Sequence, residues 1–555
     1  MKSIKYSIYA LTLLLAGACN QEVIELQDPE PGPVDTSCQD ASGKTGTADF
    51  TKLVTIGNSF VAGMQGGALF TDGQDNSLAV IVNKQMDCVR GSESTFIQPD
   101  IKATLGWNLF VTQPFLADNT KPILGRMLLQ YGTKPDCSTG KVSPSPTPQA
   151  YAAGNIEALP SPINPNFLYG GSKTALNNFA IPAITLGQAL IKETGAWAGA
   201  ASDPRFSPFY GRLAYPGTGT STVIGDAAAA GGSFFVFWLG LDDFFLYAAF
   251  GGDPTKAPLT PSGNFAAYYN AALSPTTGLL ASNPNLKGVV GNFPDIFKMP
   301  HFTAVSYNPI PLDAATASQL TFGFAGYNTI LSQISGNAAL LAGFGLTAAD
   351  LLARQVTFTA SCTNRILMND ETLTDLGPVL DYLKSAGAIT DAQRAALAPY
   401  QKARQTTSSD IIPLSTGSVL GTPGTFGVNG VSEPLGDRWV IVPAERDQII
   451  AARTAYNATV SSFVDANSTR LAFADVDALL NGLITNKAGV YNGVTITPNI
   501  NPPTGIYSED GVHPNTRGYA FISHAFISAI NAKFGSSIPL TKLSDYQATG
   551  LPIQP

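Results

Sequence analysis

Charged side chains and histidines are scarce in this chain of 555 residues. It contains 32 Lys and Arg, 40 Asp and Glu and 3 His, so that 13% of its residues are charged and the net charge is -8. The charged share of an average globular protein is about 25%. A nucleic-acid partner is therefore not expected, because proteins that bind nucleic acids neutralise phosphates with Lys and Arg. The 44% hydrophobic and 10% aromatic residues predict a folded chain rather than a disordered one.

Two hydrophobic runs stand out, and neither fits a membrane span. Residues 8–18 follow two lysines and fall well short of the roughly 20 residues that a spanning helix needs. Residues 233–250 carry Asp242 and Asp243 at their middle, where each carboxylate would cost about 2.5 to 3.5 kcal/mol in a bilayer. The first run instead has the pattern of a secretory signal. The second predicts a buried strand, a turn and a short helix.

The end of the first run, LAGAC at 15–19, resembles the lipobox of bacterial lipoproteins. In those proteins the Cys becomes the lipidated first residue of the mature chain. We expect residues 1–18 to be a lipoprotein signal peptide, Cys19 to carry a lipid anchor to the membrane, and residues 19–48 to form a flexible linker. This predicts an outer-membrane lipoprotein of the bacterial cell envelope, on its periplasmic or its surface face. An ordinary cleaved signal with an incidental Cys is the alternative.

Cysteine is rare as well, and no CxxC or Cys/His cluster occurs, so a structural zinc site is not expected. Besides Cys19, the chain contains Cys38, Cys88, Cys137 and Cys362. An exported protein meets an oxidising environment, which favours disulfides. Four cysteines allow three pairings. Two disulfides are expected, with free buried thiols as the alternative.

Short apolar runs alternate with helical patterns along the chain, which predicts an α/β fold with a parallel sheet covered on both faces. The predicted strands are 50–56, 234–239, 287–290, 411–414 and 470–474. The predicted helices include 183–198, 391–404, 444–464 and 516–533.

Because histidines are few, the search for a general base is short. His513 lies three residues after Asp510, close enough for a carboxylate to fix one ring nitrogen and leave the other free to take a proton. His301 has no acidic residue within three positions, and His524 lies on the last predicted helix. Ser59 follows the first strand, at the strand end where open α/β sheets place their sites. Taken singly, the segment with Asp510 and His513 is explained equally well by a surface turn, and Ser59 by the N-cap of a helix.

Taken together, four segments resemble the SGNH, or GDSL-type, hydrolase family. They are GNSFVAG at 57–63 for the family's GDSxxxG, NFAIPA at 178–183, WLGLDD at 238–243 for its GxND block, and DGVHP at 510–514. The resemblance implies a three-layer αβα sandwich with a parallel sheet, in a single domain over 49–545. Long insertions at about 90–170 and 296–435 would build loops or a cap. These insertions, and PLGD at 434–437 ahead of a helix, make the chain similar to large lipoprotein members of the family from Bacteroidetes-type bacteria.

The resemblance also implies roles for single residues. Ser59 matches the nucleophile, His513 the base that takes its proton, and Asp510 the carboxylate that orients His513. Ser59, Ala183 and Asp242 stand at the positions of the oxyanion hole. The implied activity is hydrolysis of a carboxylic ester by a lipase, esterase or acetylesterase, with a lipid, glycan or other small-molecule ester as substrate and with no cofactor or metal.

Two of these positions depart from the family pattern. Ala183 replaces a glycine, which is acceptable if its φ is negative, because the backbone N–H is unchanged. Asp242 replaces an asparagine, and an ionised carboxylate accepts hydrogen bonds but cannot donate one to an oxyanion. Losing one such donor costs about 2.7 to 4 kcal/mol. Either a protonated Asp242 or a donor from another loop would restore it; otherwise the chain is a catalytically weak surface lipoprotein that acts as a binding or assembly module.

Overall fold

The computed structural model describes residues 38–108, 124–132, 136–150, 168–197, 203–214 and 219–550. The expected signal peptide, Cys19 and the first part of the linker lie outside these ranges, as do parts of the first expected insertion. Residues 36–555 form one compact unit. In the described part of the chain, no helix is both long enough and apolar enough to cross a bilayer.

Five parallel strands form the central sheet. They are β1 (Leu53–Gly57), β2 (Asn178–Ala180), β3 (Phe234–Trp238), β4 (Lys287–Gly291) and β5 (Leu471–Ala474). Their order across the sheet is β5-β4-β3-β1-β2, and Gly57 at the end of β1 is paired with both Ala180 and Trp238. Every residue of β1 and β3 is buried, as in a parallel sheet that is covered on both faces. The predicted α/β class with a parallel sheet is confirmed.

Helices cover the sheet on both sides. The helices that matter for its core and its site are α1 (Ser59–Ala62), α2 (Leu78–Arg90), α3 (Asp242–Ala249), α4 (Ser262–Leu273), α5 (Pro443–Ala466), α6 (Val476–Asn486) and α7 (Thr516–Phe534). Neighbouring residues of a strand point to opposite faces. Accordingly Trp238 packs on Phe526 of α7, with ring centroids 5.6 Å apart, and Phe237 packs on Tyr269 of α4 at 5.7 Å. This arrangement is compatible with a three-layer sandwich.

The remaining elements lie mostly in the connections. The other α-helices of the described ranges are Cys38–Ala41, Thr71–Asp75, Pro208–Ala214, Val223–Ala229, Pro300–Thr303, Ala314–Ser335, Ala338–Phe344, Ala348–Ala353, Gly377–Ser385 and Asp391–Ala396. The two-stranded antiparallel pairs are Ala68–Leu69 with Trp107–Asn108, Leu124–Tyr131 with Pro144–Ala150, Ile310–Leu312 with Ser361–Asn364, Leu367–Asn369 with Ala403–Gln405, and Gly489–Tyr491 with Val494–Ile496.

The second expected insertion contains a hydrophobic core of its own. Phe324, Leu351 and Leu380 are among its buried members, and they come from three of its helices. A smaller cluster around Ile366 and Met368 packs beside it. This part of the chain is therefore a packed lobe with its own helices rather than a set of loops.

Three predicted elements are wrong. In place of the helix predicted at 183–198, the described part of this segment, 183–197, contains two short 3₁₀ turns, Gln188–Leu190 and Lys192–Gly195, because the chain turns sharply after the preceding proline and contains two glycines. The helix predicted at 391–404 ends at Ala396, ahead of a proline that cannot continue it, and the chain then enters a short strand. The strand predicted at 411–414 is reduced to two isolated bridges, from Ile411 to Ile441 and from Ile412 to Val305.

The four cysteines form two disulfides, Cys38–Cys88 and Cys137–Cys362. The expectation of two disulfides is met, and free thiols are excluded at these four positions. The first bond ties the start of the described chain to α2. The second joins the hairpin at 124–150 to the pair that contains Ser361–Asn364, and so it links the two expected insertions covalently.

Candidate active site

Ser59 lies at the start of α1, directly after β1. The turn between them is tight, because a Cβ on Gly57 would lie 2.3 Å from the side chain of Val61. The side chain of Asn58 caps the helix by accepting the Phe60 N–H at 3.1 Å. Ser59 is therefore not the N-cap residue, and its hydroxyl is left for other contacts although it is only 5% exposed.

The Ser59 hydroxyl meets His513, which lies 454 residues away in sequence. Ser59 Oγ is 2.8 Å from His513 Nε2, and His513 Nδ1 is 2.7 Å from Asp510 Oδ2. His513 is 1% exposed and Asp510 3% exposed. Because a carboxylate only accepts hydrogen bonds, Nδ1 carries the ring proton and Nε2 is free to accept the serine proton. The structure thus brings the three predicted triad residues together in a buried chain of hydrogen bonds.

Backbone N–H groups hold the Asp510 carboxylate in place. Its Oδ1 accepts from Val512 and His513 at 2.8 Å each, and its Oδ2 accepts from Gly67 at 2.5 Å. Burial alone would raise the pKa of Asp510, but His513 and these hydrogen bonds hold it below its ordinary value. Asp510 is therefore ionised near neutral pH and fixes the orientation of the imidazole.

Ser508 supports the same loop, and the sequence analysis missed it. Its hydroxyl accepts the Gly66 N–H at 2.9 Å and donates to the His513 carbonyl at 2.8 Å. It thereby ties the segment after α1 to the segment that carries the imidazole. A lone serine two residues before an aspartate gives no signal for such a role in the sequence.

His301 packs against this loop through backbone contacts. Its N–H donates to the Gly511 carbonyl at 2.9 Å, and its Nδ1 lies 3.0 Å from the Asp510 carbonyl. No carboxylate close to His301 in sequence marks this contact, because it spans 209 residues and involves only the backbone of the loop. His524, in contrast, bonds to the Thr541 carbonyl at 2.8 Å and lies apart from these hydrogen bonds.

Ala183 lies in the loop after β2, and its backbone angle φ is positive rather than negative. Its φ is +51°, in the left-handed region that favours glycine. An alanine there costs about 1 to 2 kcal/mol. The negative φ that would make alanine an easy replacement for glycine is therefore not found at Ala183, and the residue holds a strained backbone at this position.

Asp242 begins α3, after the end of β3, and is buried at 3% exposure. Burial raises the pKa of Asp242 to about 8, with the neighbouring charge of Asp243 adding to the effect. The Asn58 amide and the Ile184 backbone N–H oppose this shift, because both favour the ionised form. A protonated carboxyl is thus accessible at neutral pH in the apolar surroundings that the sequence predicts.

Asp243 connects the ends of two strands of the sheet. Its carboxylate accepts the Leu186 N–H at 2.7 Å and the Thr260 hydroxyl at 2.8 Å. Burial raises the pKa of Asp243 to about 7. The residue holds the loop after β2 against the loop after β3, and both loops border the site.

The hairpin at 124–150 forms part of the wall near the triad. Its Met127 N–H donates to the Gly66 carbonyl at 2.7 Å. Burial raises the pKa of Glu509 to about 7, with Asp510 contributing and Arg126 of the hairpin opposing the shift. The first expected insertion therefore contributes charge to the surroundings of the site.

One group of side chains in the described ranges could in principle hold a metal ion. Oxygen atoms of Glu371, Asp437 and Glu445 all lie within 4.8 Å of one another. Burial and mutual repulsion raise the pKa of Asp437 to about 7 and that of Glu445 to about 9. Protonation relieves the repulsion within this group without a cation, and none of its members hydrogen bonds to the triad.

No protein-family model matches the chain, and neither a curated protein nor a solved structure matches it. What the site can do chemically therefore follows from its residues and their geometry. Those residues comprise a hydroxyl, an imidazole with one free nitrogen and an ionised carboxylate, in the order that nucleophilic catalysis requires.

Proposed function

We propose that the protein is an exported serine ester hydrolase of the SGNH type, anchored through Cys19 to the bacterial outer membrane. The observation that carries the proposal is the hydrogen-bonded chain from Ser59 Oγ to His513 Nε2, at 2.8 Å, and from His513 Nδ1 to Asp510 Oδ2, at 2.7 Å. Burying three polar groups costs free energy in a protein core, whereas this order of hydrogen bonds activates a serine as a nucleophile.

In the first half of the reaction, Ser59 Oγ attacks the ester carbonyl carbon as its proton moves to His513 Nε2. The carbonyl oxygen becomes an oxyanion. The tetrahedral intermediate then breaks its bond to the alcohol oxygen, which leaves with the proton from His513. An acyl-serine remains, and Asp510 stabilises the transient imidazolium without taking its proton.

In the second half, His513 accepts a proton from water as the water oxygen attacks the acyl-serine. The bond to Ser59 Oγ breaks, the serine regains its proton, and the acid is released. Two backbone N–H groups are candidates to stabilise the oxyanion in both halves. Ser59 contributes one from the first turn of α1, where N–H groups lack acceptors within the helix, and Ala183 contributes the other.

The substrate class follows from the chemistry and the expected location. The triad needs only an accessible acyl or acetyl ester and no cofactor. A lipid-anchored protein of the envelope meets esters of lipids and acetylated glycans, and we propose these as substrates.

A second candidate function is a binding or assembly module with little catalysis. Asp242 favours it, because an ionised carboxylate beside the oxyanion would oppose the developing charge. The strained φ of +51° at Ala183 points to the same part of the site. Retention of the complete triad favours the hydrolase.

The purified full-length protein in detergent, assayed with p-nitrophenyl acetate, butyrate and octanoate, tests the proposal. We expect Ser59→Ala to lower turnover by at least about 1,000-fold, as loss of a triad nucleophile does. Ser544→Ala, at an exposed serine near the end of the chain, is the matched control and should retain full turnover. Wild-type turnover no higher than that of Ser59→Ala would favour the binding module.

A further inference from the structure

Asn58 and Asp242 are a buried pair of side chains with complementary unused atoms. They follow the ends of the neighbouring strands β1 and β3, and Asn58 is 1% exposed. Within the described residues, Asn58 Nδ2 and Asp242 Oδ2 have no hydrogen-bond partner of regular geometry. The first atom is a donor and the second an acceptor. A hydrogen bond from the Asn58 side chain opposes the rise of the Asp242 pKa, so the donor and the acceptor belong to groups that interact.

The position of Asp242 also relates it to both candidate donors of the oxyanion hole. Its carboxyl is favoured in the ionised form by the Ile184 N–H as well as by the Asn58 amide. Asn58 directly precedes Ser59, and Ile184 directly follows Ala183. The two groups that favour the ionised form of Asp242 thus belong to the chain neighbours of the two residues whose backbone N–H groups would face an oxyanion.

Pairing with Asn58 also explains why an aspartate can stand at position 242, where the family motif has an asparagine. The first block has Asn58 where GDSxxxG has Asp, and the third has Asp242 where GxND has Asn. The two residue types are exchanged between the two blocks. A contact between one amide and one carboxyl can form in either order, because the amide N–H donates to the carboxyl oxygen in both, whereas two ionised carboxyls repel each other.

We propose that Asn58 and Asp242 form an amide–carboxyl contact that positions the backbone N–H groups of Ser59 and Ala183, with Asp242 as a positioning residue and not as a donor to the substrate. The inference rests on the proposed function. It explains how a chain with a carboxyl at this position keeps a complete triad, because the Asn58 amide and the Ile184 N–H, rather than the substrate, are the partners of that carboxyl.

The test exchanges the two residues in the full-length protein. Asn58→Asp and Asp242→Asn should each lower kcat for p-nitrophenyl acetate by about 10- to 100-fold with little change in KM, since small displacements of catalytic groups act on kcat. The double exchange should recover at least about tenfold of that loss. Losses that multiply in the double variant would overturn the contact, and a higher kcat in Asp242→Asn alone would overturn the positioning role.

A second variant guards against a folding defect. Asn58→Ser keeps a residue that caps a helix well and removes only the amide. It should lose as much kcat as Asp242→Asn, and combining the two should cost nothing further, because both remove the same contact. Independent, multiplying losses would contradict the proposal.

Failure of the Asn58–Asp242 contact can be distinguished from failure of the proposed function. If wild-type turnover does not exceed that of Ser59→Ala, the hydrolase proposal and the positioning role both fail. The contact itself is then read from urea unfolding of the same variants. Midpoints that shift additively would overturn the contact, whereas recovery of the midpoint in the double exchange would support it.

Discussion

Gly511 offers a direct test of how the triad loop is held. It separates Asp510 from the two residues whose N–H groups hold that carboxylate, and its φ is +70°. A Cβ built on Gly511 would lie 2.7 Å from the backbone nitrogen of His301, the atom whose N–H donates to the Gly511 carbonyl. Backbone cannot rotate away as a side chain tip can, so Gly511→Ala must displace either the loop or the helix Pro300–Thr303.

The magnitude combines two costs. An L-residue in the left-handed region costs about 1 to 2 kcal/mol, and overpacking adds about 1 to 3 kcal/mol. Reduced freedom of the unfolded chain returns about 0.4 to 1 kcal/mol. We expect Gly511→Ala to lower the free energy of unfolding by roughly 1 to 5 kcal/mol. A displacement of about 1 Å at the Asp510 carboxylate should also reduce ester turnover by around 100-fold.

Gly535 provides the matched control. It ends α7 with a φ of +69°, and a Cβ there would meet nothing within 4 Å. Gly535→Ala should therefore show only the backbone cost, about 1 kcal/mol after the unfolded-state gain, with unchanged turnover. Urea unfolding and p-nitrophenyl acetate hydrolysis measure both effects. Equal loss of stability in the two variants, or full turnover in Gly511→Ala, would show that the contact between Gly511 and His301 does not hold the triad loop.

Three further predictions concern strain, covalent linkage and pH. Ala183→Gly should raise the free energy of unfolding by up to about 1 kcal/mol in urea and keep ester turnover, because glycine relieves the positive φ; lower stability would contradict this. Cys137→Ser with Cys362→Ser should lower the calorimetric melting temperature, since the disulfide closes a loop of 225 residues, worth about 5 kcal/mol in the chain-entropy model; an unchanged melting temperature would oppose it. Burial raises the pKa of Glu445 from 4.5 to about 9, so its stabilising contribution is complete below pH 4.5 and is lost as the pH rises through 9. Glu445→Gln, which keeps an acceptor for the Val442 N–H, should reduce the fall in melting temperature between about pH 6 and pH 9, and an equal fall in both proteins would count against it.

The central strands could be predicted because their residues are apolar throughout. Phe234–Trp238 has five buried apolar residues in a row, and Leu471–Ala474 is nearly as uniform. The strand Asn178–Ala180 is only three residues long and begins with a polar side chain, so its local pattern carries no such signal. Its place at the sheet edge depends on pairing with β1 across more than 100 residues, which periodicity cannot reveal.

Some features of the candidate site could likewise be predicted from the sequence, and others could not. Ser59, Asp510 and His513 lie in short segments whose residue types and order carry the signal. The strain at Ala183 depends on a backbone angle that no residue type encodes, and the support from His301 depends on a long-range contact. The pairing of cysteines was likewise open until the positions of the two insertions were known.

Covalent labelling shows whether the Ser59 hydroxyl is an activated nucleophile. A fluorophosphonate reacts with a serine only when that serine is activated by a base and its oxyanion is stabilised. The full-length protein should take up one equivalent, and peptide mass spectrometry should locate it on the segment that contains Ser59. Ser59→Ala should take up none, and His513→Ala should react far more slowly. No uptake by the wild-type protein, or an adduct on a different serine, would show that Ser59 is not the nucleophile.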